Sequence, residues 1–374
     1  MVIPLNNLTK KQLRGMASGA ETETATEFTS RVTQQLVGGI AGIGLAMGME
    51  TGLFDVMISM GENKKTSQEI ADLAGMKERY VREWLGYMAA ANITNFDPNE
   101  GKFWLPSHRS NIMELKGLVM TLPILYGGFF KVAECFRKDG PTGVPFEEYH
   151  KLDDLIHLTQ GRFCQDQLIQ EFLPSMPQVH RCLETGIHVL DLGCGEGTAT
   201  ITMARRFFKS RFYGLDISQP ALRTARYKAA EMGLSNVEFI KADISLMPTD
   251  WTDKFDYLFV HFVLHDLSYP TKALREMHRV LKPGGTLSVI EINAYSNLED
   301  NLERQDRKSI VLAYSYSLVT CLPISLCPGD GAGLGGLWGR EEAQKALEQA
   351  KFQVVSVTEA CNDGVHLMCV KPMA

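Results

Sequence analysis

No two of the eight cysteines (Cys135, Cys164, Cys182, Cys194, Cys321, Cys327, Cys361, Cys369) are spaced C-x-x-C. The chain therefore offers neither the paired ligands of a zinc module nor the framework of a disulfide-stapled fold. The opening MVIPLNNLTKK has no apolar signal core. With the cysteine usage this leads us to expect a reducing, cytoplasmic setting. Positive charge is also short, since 38 Lys and Arg against 44 Asp and Glu leave a net charge of -6. That removes the bulk attraction that non-specific nucleic-acid binding needs. The longest nearly uncharged apolar run, Leu36 to Met49, is 14 residues interrupted by glycines. A membrane span needs roughly 20, so no span and no membrane partner is expected. What is present is a chain of 374 residues, 45% of them hydrophobic, enough for two domains with cores of their own.

Residues 1 to 25 lack apolar periodicity and read as a loosely held tail. From Phe28 to Met60 apolar residues recur at helical spacing (Phe28, Val32, Leu36, Ile40, Ile43). Glycines at 38, 39, 42 and 44 would let another helix approach closely, so a core or dimer-seam helix is expected. Thr66-Ser67-Gln68-Glu69 is a capping box opening a short helix faced by Ile70 and Leu73. Gly75 supplies a turn, and Val81, Leu85 and Met88 form the face of a second helix. A hairpin follows, Ile93 to Phe96 and Lys102 to Leu105 around Asp97 to Gly101. Helix, turn, helix and hairpin is the order of a winged helix. Residues 112 to 180 are helical and rich in aromatics: Tyr126, Phe129, Phe130, Phe136, Phe146 and Tyr149.

Beyond Ile187 the pattern alternates strand and helix, which predicts a parallel, doubly wound sheet. Its strands are expected at Ile187 to Leu192, Arg211 to Asp216, Val237 to Lys241, Tyr257 to His261, Leu287 to Ile292, Phe352 to Val357 and His366 to Lys371. An Asn-Asp-Gly turn joins the last two, so one of them should run antiparallel to the rest.

The first of these strands runs through Asp191 into Gly193, Gly195 and Gly197 before a helix begins. Glycines there let the backbone bend sharply and approach a ligand. A dinucleotide fingerprint would need G-x-G-x-x-G, but position 198 is Thr. Asp216 closes the second strand, placed to accept from a ribose diol, and Asp243 closes the third, where it could face an adenine amino group. No Lys or Arg is placed for phosphates, so a ligand with ribose and adenine but no pyrophosphate fits, and S-adenosylmethionine has that shape. On these residues the segment 187 to 292 resembles a class I S-adenosylmethionine-dependent methyltransferase. Asp191, Gly193, Gly195, Gly197, Asp216 and Asp243 fall on its cofactor positions. A second G-x-G-x-x-G, Gly331 to Gly336, follows no clear strand and reads as a flexible loop over the site.

After the fourth strand, FVLHDL places His261, His265 and Asp266 at the carboxyl end of a central strand. If the methyl acceptor is a hydroxyl, a group near neutral pKa must take its proton, and His is the natural one. The V-L-H-D-L run is similar to the I-L-H-D-W stretch of winged-helix plant O-methyltransferases, whose His is the base. The resemblance puts that role on His265, with Leu267 in the place of the Trp. His261 reads as a packing residue. Asp266, adjacent in sequence, is not expected to face His265 along a regular element, so an orienting carboxylate should come from elsewhere, Glu291 being one candidate. No metal is implied, since no clustered carboxylates with ligand spacing accompany His265. In the insertion 295 to 339, Tyr314, Tyr316, Cys321 and Trp338 could line a partly apolar pocket.

Together with GVPFEEY (143 to 149), the N-terminal module and the insertion are similar to a largely uncharacterised family of winged-helix methyltransferases of actinobacteria and animals, over roughly residues 30 to 371. The resemblance implies an α/β, Rossmann-like, seven-stranded class I methyltransferase domain (181–374). A mainly α-helical winged-helix and dimerisation domain (26–111) precedes it, with a helical linker and pocket cover (112–180) between them. The function implied is methyl transfer from S-adenosylmethionine to an oxygen or nitrogen of a small molecule, by a homodimer. The competing readings are a DNA-binding regulator whose second domain senses a ligand and a non-catalytic cofactor binder. Against the former, residues 66 to 92 carry four acidic side chains (Glu69, Asp72, Glu78, Glu83) and three basic ones (Lys77, Arg79, Arg82).

Overall fold

The computed structural model describes residues 23–304, 307–360 and 364–373. The chain divides between Leu122 and Pro123 into two compact units, so the helical segment from Pro123 onward groups with the sheet that follows it. Most of the expected N-terminal tail lies outside the described residues. Its end does not: Thr24 caps the first helix, α1 (Ala25–Glu50), through a capping box with Glu27.

In the first unit α1 ends at Thr51, and Gly52 turns in the left-handed region (φ 74°) into α2 (Leu53–Ser59). The capping box at Thr66 opens α3 (Ser67–Ala74), Gly75 ends it with φ 65°, and α4 (Glu78–Ala90) follows. Strands β1 (Asn95–Asp97) and β2 (Lys102–Trp104) pair antiparallel as the wing. The core lies where α4 crosses the end of α1. A Cβ at Gly44 would meet Met88 and Tyr87, and one at Gly48 would meet Trp84 and Phe54. The indole of Trp84 donates to the Gly44 carbonyl at 2.9 Å. Close helix approach therefore occurs at the end of the glycine run, while Gly38 and Gly39 face open space.

Of the two readings of the apolar stripe, core or dimer seam, the structure excludes a core within the chain. Phe28, Leu36, Ile40 and Ile43 are all exposed, Leu36 by 63%. The expectation of no membrane-length segment is also corrected. Ala25–Glu50, Ser107–Cys135 and Arg307–Leu326 are long and apolar enough to cross a membrane, by length and composition alone. Counting only uncharged, unbroken runs missed them, because a span tolerates interspersed Thr, Ser and Gln.

The second unit is built on seven strands: β3 (His188–Leu192), β4 (Arg211–Asp216), β5 (Val237–Lys241), β6 (Phe255–His261), β7 (Leu281–Ile292), β8 (Gln353–Ala360) and β9 (Gly364–Val370). Their order is β5-β4-β3-β6-β7-β9-β8. All neighbours pair parallel as far as β7, and β9 runs antiparallel to both β7 and β8. Part of the turn between β8 and β9, Asn362-Asp363, lies outside the described residues. Both faces of the sheet are buried, as helix-covered parallel sheets require. Leu190, Leu192, Leu258, Val260, Leu287 and Val289 pack on one side. The intervening Val189, Tyr257, Phe259 and Ile290 pack on the other, against Phe172 and Phe207. The chain reverses between β3 and β6, so the carboxyl ends of these two strands flank a crevice.

Candidate active site

At the end of β3 the backbone turns through three left-handed glycines, Gly193 (φ 72°), Gly195 (φ 52°) and Gly197 (φ 74°). Each glycine has its own reason. A Cβ on Gly193 would press into Val263 at 2.5 and 2.9 Å, and one on Gly197 into Phe239 at 2.6 Å, whereas one on Gly195 would meet nothing within 4 Å. Gly193 and Gly197 thus permit packing, and Gly195 leaves bare backbone facing the crevice. The amides of Gly193 and Cys194 both donate to the Leu215 carbonyl. The Asp216 carboxylate accepts from Gly195 N (2.8 Å) with one oxygen and from Ser218 N (2.7 Å) with the other. This single side chain ties the loop to the start of the following helix, α5 (Gln219–Glu231), while still bordering the crevice.

Asp191 is 3% exposed, and its Oδ2 accepts from the Thr200 hydroxyl at 2.5 Å. Burial pushes its carboxyl up to about 7, against the opposing effect of the Thr200 hydrogen bond. Asp243 lies at an exposed turn, where its Oδ1 accepts from the amide and hydroxyl of Ser245. It is not among the described residues lining the crevice. Sequence reasoning did not single out Asp153. It lies on the helix Leu152–Arg162, borders the same crevice, and has its carboxyl raised first by burial and then by the charges of Asp216 and Glu196. No spacing rule links position 153 to 216.

The crevice opens into a cavity of about 500 Å³. Opposite the glycine loop its wall holds His265, on a single 3₁₀ turn (Leu264–Asp266) after β6. The turn follows Phe262, whose φ of 55° is strained for a side chain of this size. His265 Nδ1 is in contact with Glu291 Oε2, and Glu291 Oε1 accepts from Leu264 N at 2.9 Å. Glu291, the candidate from sequence, is 1% exposed and holds the imidazole from behind. The expectation that Asp266 would face away is overturned, because Asp266 Oδ1 lies 3.4 Å from His265 Nε2. The two residues sit on a turn of only three residues, too short to define a helical or strand face, so adjacency in sequence does not fix where their side chains point. The expectation of a largely neutral imidazole fails too. Burial disfavours the charged ring, but the Asp266 and Glu291 carboxylates outweigh it and raise the pKa well above the ordinary histidine value.

His261 packs its ring against Phe163, Phe259 and Phe262, and burial drives its pKa down to about 3. In the insertion, Tyr316 and Cys321 border the cavity. Tyr314 is 39% exposed and outside the described lining, and Trp338 packs on the sheet core instead. Asn293 and Arg304, also unanticipated, border the cavity, with Arg304 donating to the Asn293 carbonyl. The 331–336 glycine segment is tied down, contrary to a flexible cover. Ala332 N donates to Ser268 O (2.9 Å), Gly333 N to Ser325 Oγ (3.2 Å) and Gly336 N to Ser317 Oγ (3.0 Å).

The strand order and this glycine loop are those of the class I methyltransferase fold, and the first unit has the helix order and wing of a winged helix. Residues 183–351 match the family model of a methyltransferase domain, and residues 39–114 match that of an Rv2258c-like winged HTH domain. Demethylmenaquinone methyltransferase of Listeria monocytogenes serotype 4a is 37% identical over 110 residues, 29% of this chain and 46% of the relative. That of Lactiplantibacillus plantarum is 31% identical over 144 residues, 38% of this chain and 57% of the relative. The chain thus spans about half the length of the curated relatives it matches. In fold it is similar to the mitomycin 7-O-methyltransferase MmcR (15% identity, TM-score 0.64, 92% of this chain and 98% of that one). It is likewise similar to NcsB1, an O-methyltransferase from neocarzinostatin biosynthesis solved with S-adenosylmethionine and 2-hydroxy-5-methyl naphthoic acid (16% identity, TM-score 0.63, 88% and 95%).

Proposed function

We propose that the protein transfers a methyl group from S-adenosylmethionine to an oxygen or nitrogen of a small, largely apolar molecule. One observation carries this reading: a single cavity is bordered by the bare backbone of Gly195, by Asp216 and by His265, which Glu291 holds from behind. Bound S-adenosylmethionine supplies a sulfonium methyl open to in-line displacement. Asp216 retains lone pairs to accept from a ribose diol, and the Gly195 backbone admits close approach. Asp191 positions the loop through Thr200. Asp243, from its exposed turn, is assigned the adenine edge on its place after β5. For a hydroxyl acceptor, His265 in its neutral form, which the raised pKa shifts to higher pH, takes the proton at Nε2, and Glu291 keeps the ring oriented and stabilises the resulting imidazolium. Phe146, Leu152, Ile310 and Ile324 on the cavity wall favour an apolar acceptor body. The test is incubation with methyl-labelled S-adenosylmethionine and a metabolite extract. Mass spectrometry should find a product heavier by one labelled methyl, and labelled cofactor left unconsumed across the extract would count against the reading.

The first unit is proposed to pair two copies of the chain rather than bind DNA. The exposed row Leu36, Val37, Ile40, Ile43 and Met47 on α1 supports pairing, since isolated monomers rarely expose so continuous an apolar face. On α4, Arg79 pairs with Glu83 and Arg82 with Glu78, so two of its cations are already matched. The seven described cysteines are free thiols, in keeping with the cytoplasmic setting proposed for the protein. Light scattering should give a dimer mass, and tight, salt-sensitive DNA binding would reverse this assignment.

A further inference from the structure

His265, Asp266 and Cys321 bring one nitrogen, one oxygen and one sulfur donor within 4.8 Å of one another. Nothing in their spacing announces this, because Cys321 arrives from the insertion, at the end of a π-helical stretch Ser317–Cys321. Three independent features go beyond proximity. The first is the arrangement behind the imidazole. Nδ1 is held by Glu291, itself fixed by the Leu264 amide, so Nε2 is the nitrogen presented to the other two donors. A carboxylate behind the non-ligating nitrogen is the arrangement that orients metal-binding histidines. The second is Asp266 Oδ1, which is shut off from solvent, accepts no hydrogen bond and lies 3.4 Å from Nε2. The third is that Cys321 is 7% exposed, with its sulfur turned to this pair and away from water.

We propose that His265, Asp266 and Cys321 form a binding site for a zinc ion, and that zinc held there blocks methyl transfer. Magnesium and calcium take oxygen ligands and would leave the sulfur and nitrogen unused, whereas a mixed N, O, S set suits borderline-soft Zn²⁺. With zinc–nitrogen and zinc–sulfur lengths of about 2.0 and 2.3 Å, two ligand atoms of one tetrahedral ion lie about 3.5 Å apart, roughly 1.3 Å closer than the widest spacing of the three donors. Small side-chain rotations of Cys321 or Asp266 therefore close the set. Ligation releases the Cys321 thiol proton and the Nε2 proton of the His265 imidazolium to solvent, and leaves a fourth position facing the cavity. The block follows from the electron count on the ring. Nε2 has one lone pair, which accepts either a proton from the acceptor or the metal ion. The site itself stands independently of the methyl-transfer reading, and its effect on turnover rests on that reading.

The test uses the metal-free full chain loaded with Zn²⁺ or with Co²⁺ as a spectroscopic stand-in. Equilibrium dialysis should leave a single zinc ion per chain. The cobalt form should show a thiolate-to-metal charge-transfer band that Cys321→Ser removes. Glu291→Gln should weaken zinc binding about 10- to 100-fold through the lost orientation of His265. Should Cys321→Ser fail to fold, Asp266→Asn carries the same test through weakened affinity. With an identified acceptor, zinc-loaded protein should lose turnover and a chelator should restore it. No retained zinc, or a charge-transfer band that survives Cys321→Ser, would overturn the site. Zinc-loaded protein with full turnover would overturn the block. A metal-free protein that never turns over would count against the methyl-transfer reading instead, and the cobalt spectrum would still decide the site.

Discussion

The two walls of the cavity are built on opposite principles. The wall proposed for the cofactor is mostly backbone: three left-handed glycines, amides aimed by hydrogen bonds, and one carboxylate at a strand end. The acceptor wall is mostly side chain: a buried imidazole between two carboxylates, a buried thiol and a strained Phe262. Backbone geometry is specified by a short run of sequence and tolerates little change, whereas a side-chain cluster can be drawn from anywhere in the fold. The first wall can therefore serve one ligand, while the second is free to vary with the acceptor.

Changing His265 should expose this division most strongly. In the metal-free protein His265→Ala should lower turnover of a hydroxyl acceptor by about 100- to 10,000-fold, the usual contribution of a general base. S-adenosylmethionine affinity by calorimetry should stay within twofold. A comparable loss of cofactor binding would mean that the two walls are not separable. On the other wall, S-adenosylmethionine at a hundredfold excess over its dissociation constant should add about 2.7 kcal/mol of stability, and NAD none. Asp216→Ala should remove most of that gain in a thermal-shift titration.

The glycines sharpen the contrast further. Gly193→Ala places a methyl group against Val263 in a left-handed backbone, while Gly195→Ala bears the backbone cost alone, roughly 1–2 kcal/mol. Denaturant unfolding should find Gly193→Ala the less stable of the two, and calorimetry should find cofactor binding weakened in both.

The smallest effects should appear in the pH dependence of stability. His261 has its folded pKa near 3, below the ordinary value of about 6.5, so the native state holds fewer protons than the unfolded one between these limits. Its share of stability is complete above pH 6.5 and is lost as pH falls toward 3. Asp191 works in the opposite sense. With a folded pKa near 7, its burial penalty grows as pH rises from about 4 to 7. Asp191→Asn should accordingly remove a fall in melting temperature as pH rises from about 4 to 7, and His261→Gln should remove a rise as pH goes from about 3 to 6.5. Profiles unchanged by either substitution would mean that these groups are hydrated in solution.

The same contrast explains what the sequence made legible. The seven strands, the glycine loop and the capping box at Thr66 are local patterns, each read from a run of about ten residues, and the structure has all of them, with β7 starting at Leu281 rather than Leu287. Glu291 could be named only as a candidate, since it meets His265 across neighbouring strands. Asp266 was misjudged because a one-turn 3₁₀ helix has no periodicity to read. Cys321 and Asp153 come from segments whose docking depends on the tertiary fold. The exposed stripe of α1 has the spacing of a core helix, and spacing alone does not say whether the face is covered from within the same chain.

Asp216 has a consequence in the arithmetic of donors and acceptors. Both of its oxygens face backbone N–H groups, Gly195 on one side and Ser218 on the other. An asparagine there keeps shape and volume but must turn its amide NH₂ toward one of those two donors, leaving two hydrogens aimed at each other. The substitution usually treated as mildest would unfasten either the loop from the strand or the strand from its helix. Glutamate, which keeps both acceptors but sets them one carbon further out, would push the same two amides apart. The position favours aspartate for reasons that exist before any ligand arrives, so its identity records the architecture of the crossover as much as the chemistry performed beside it.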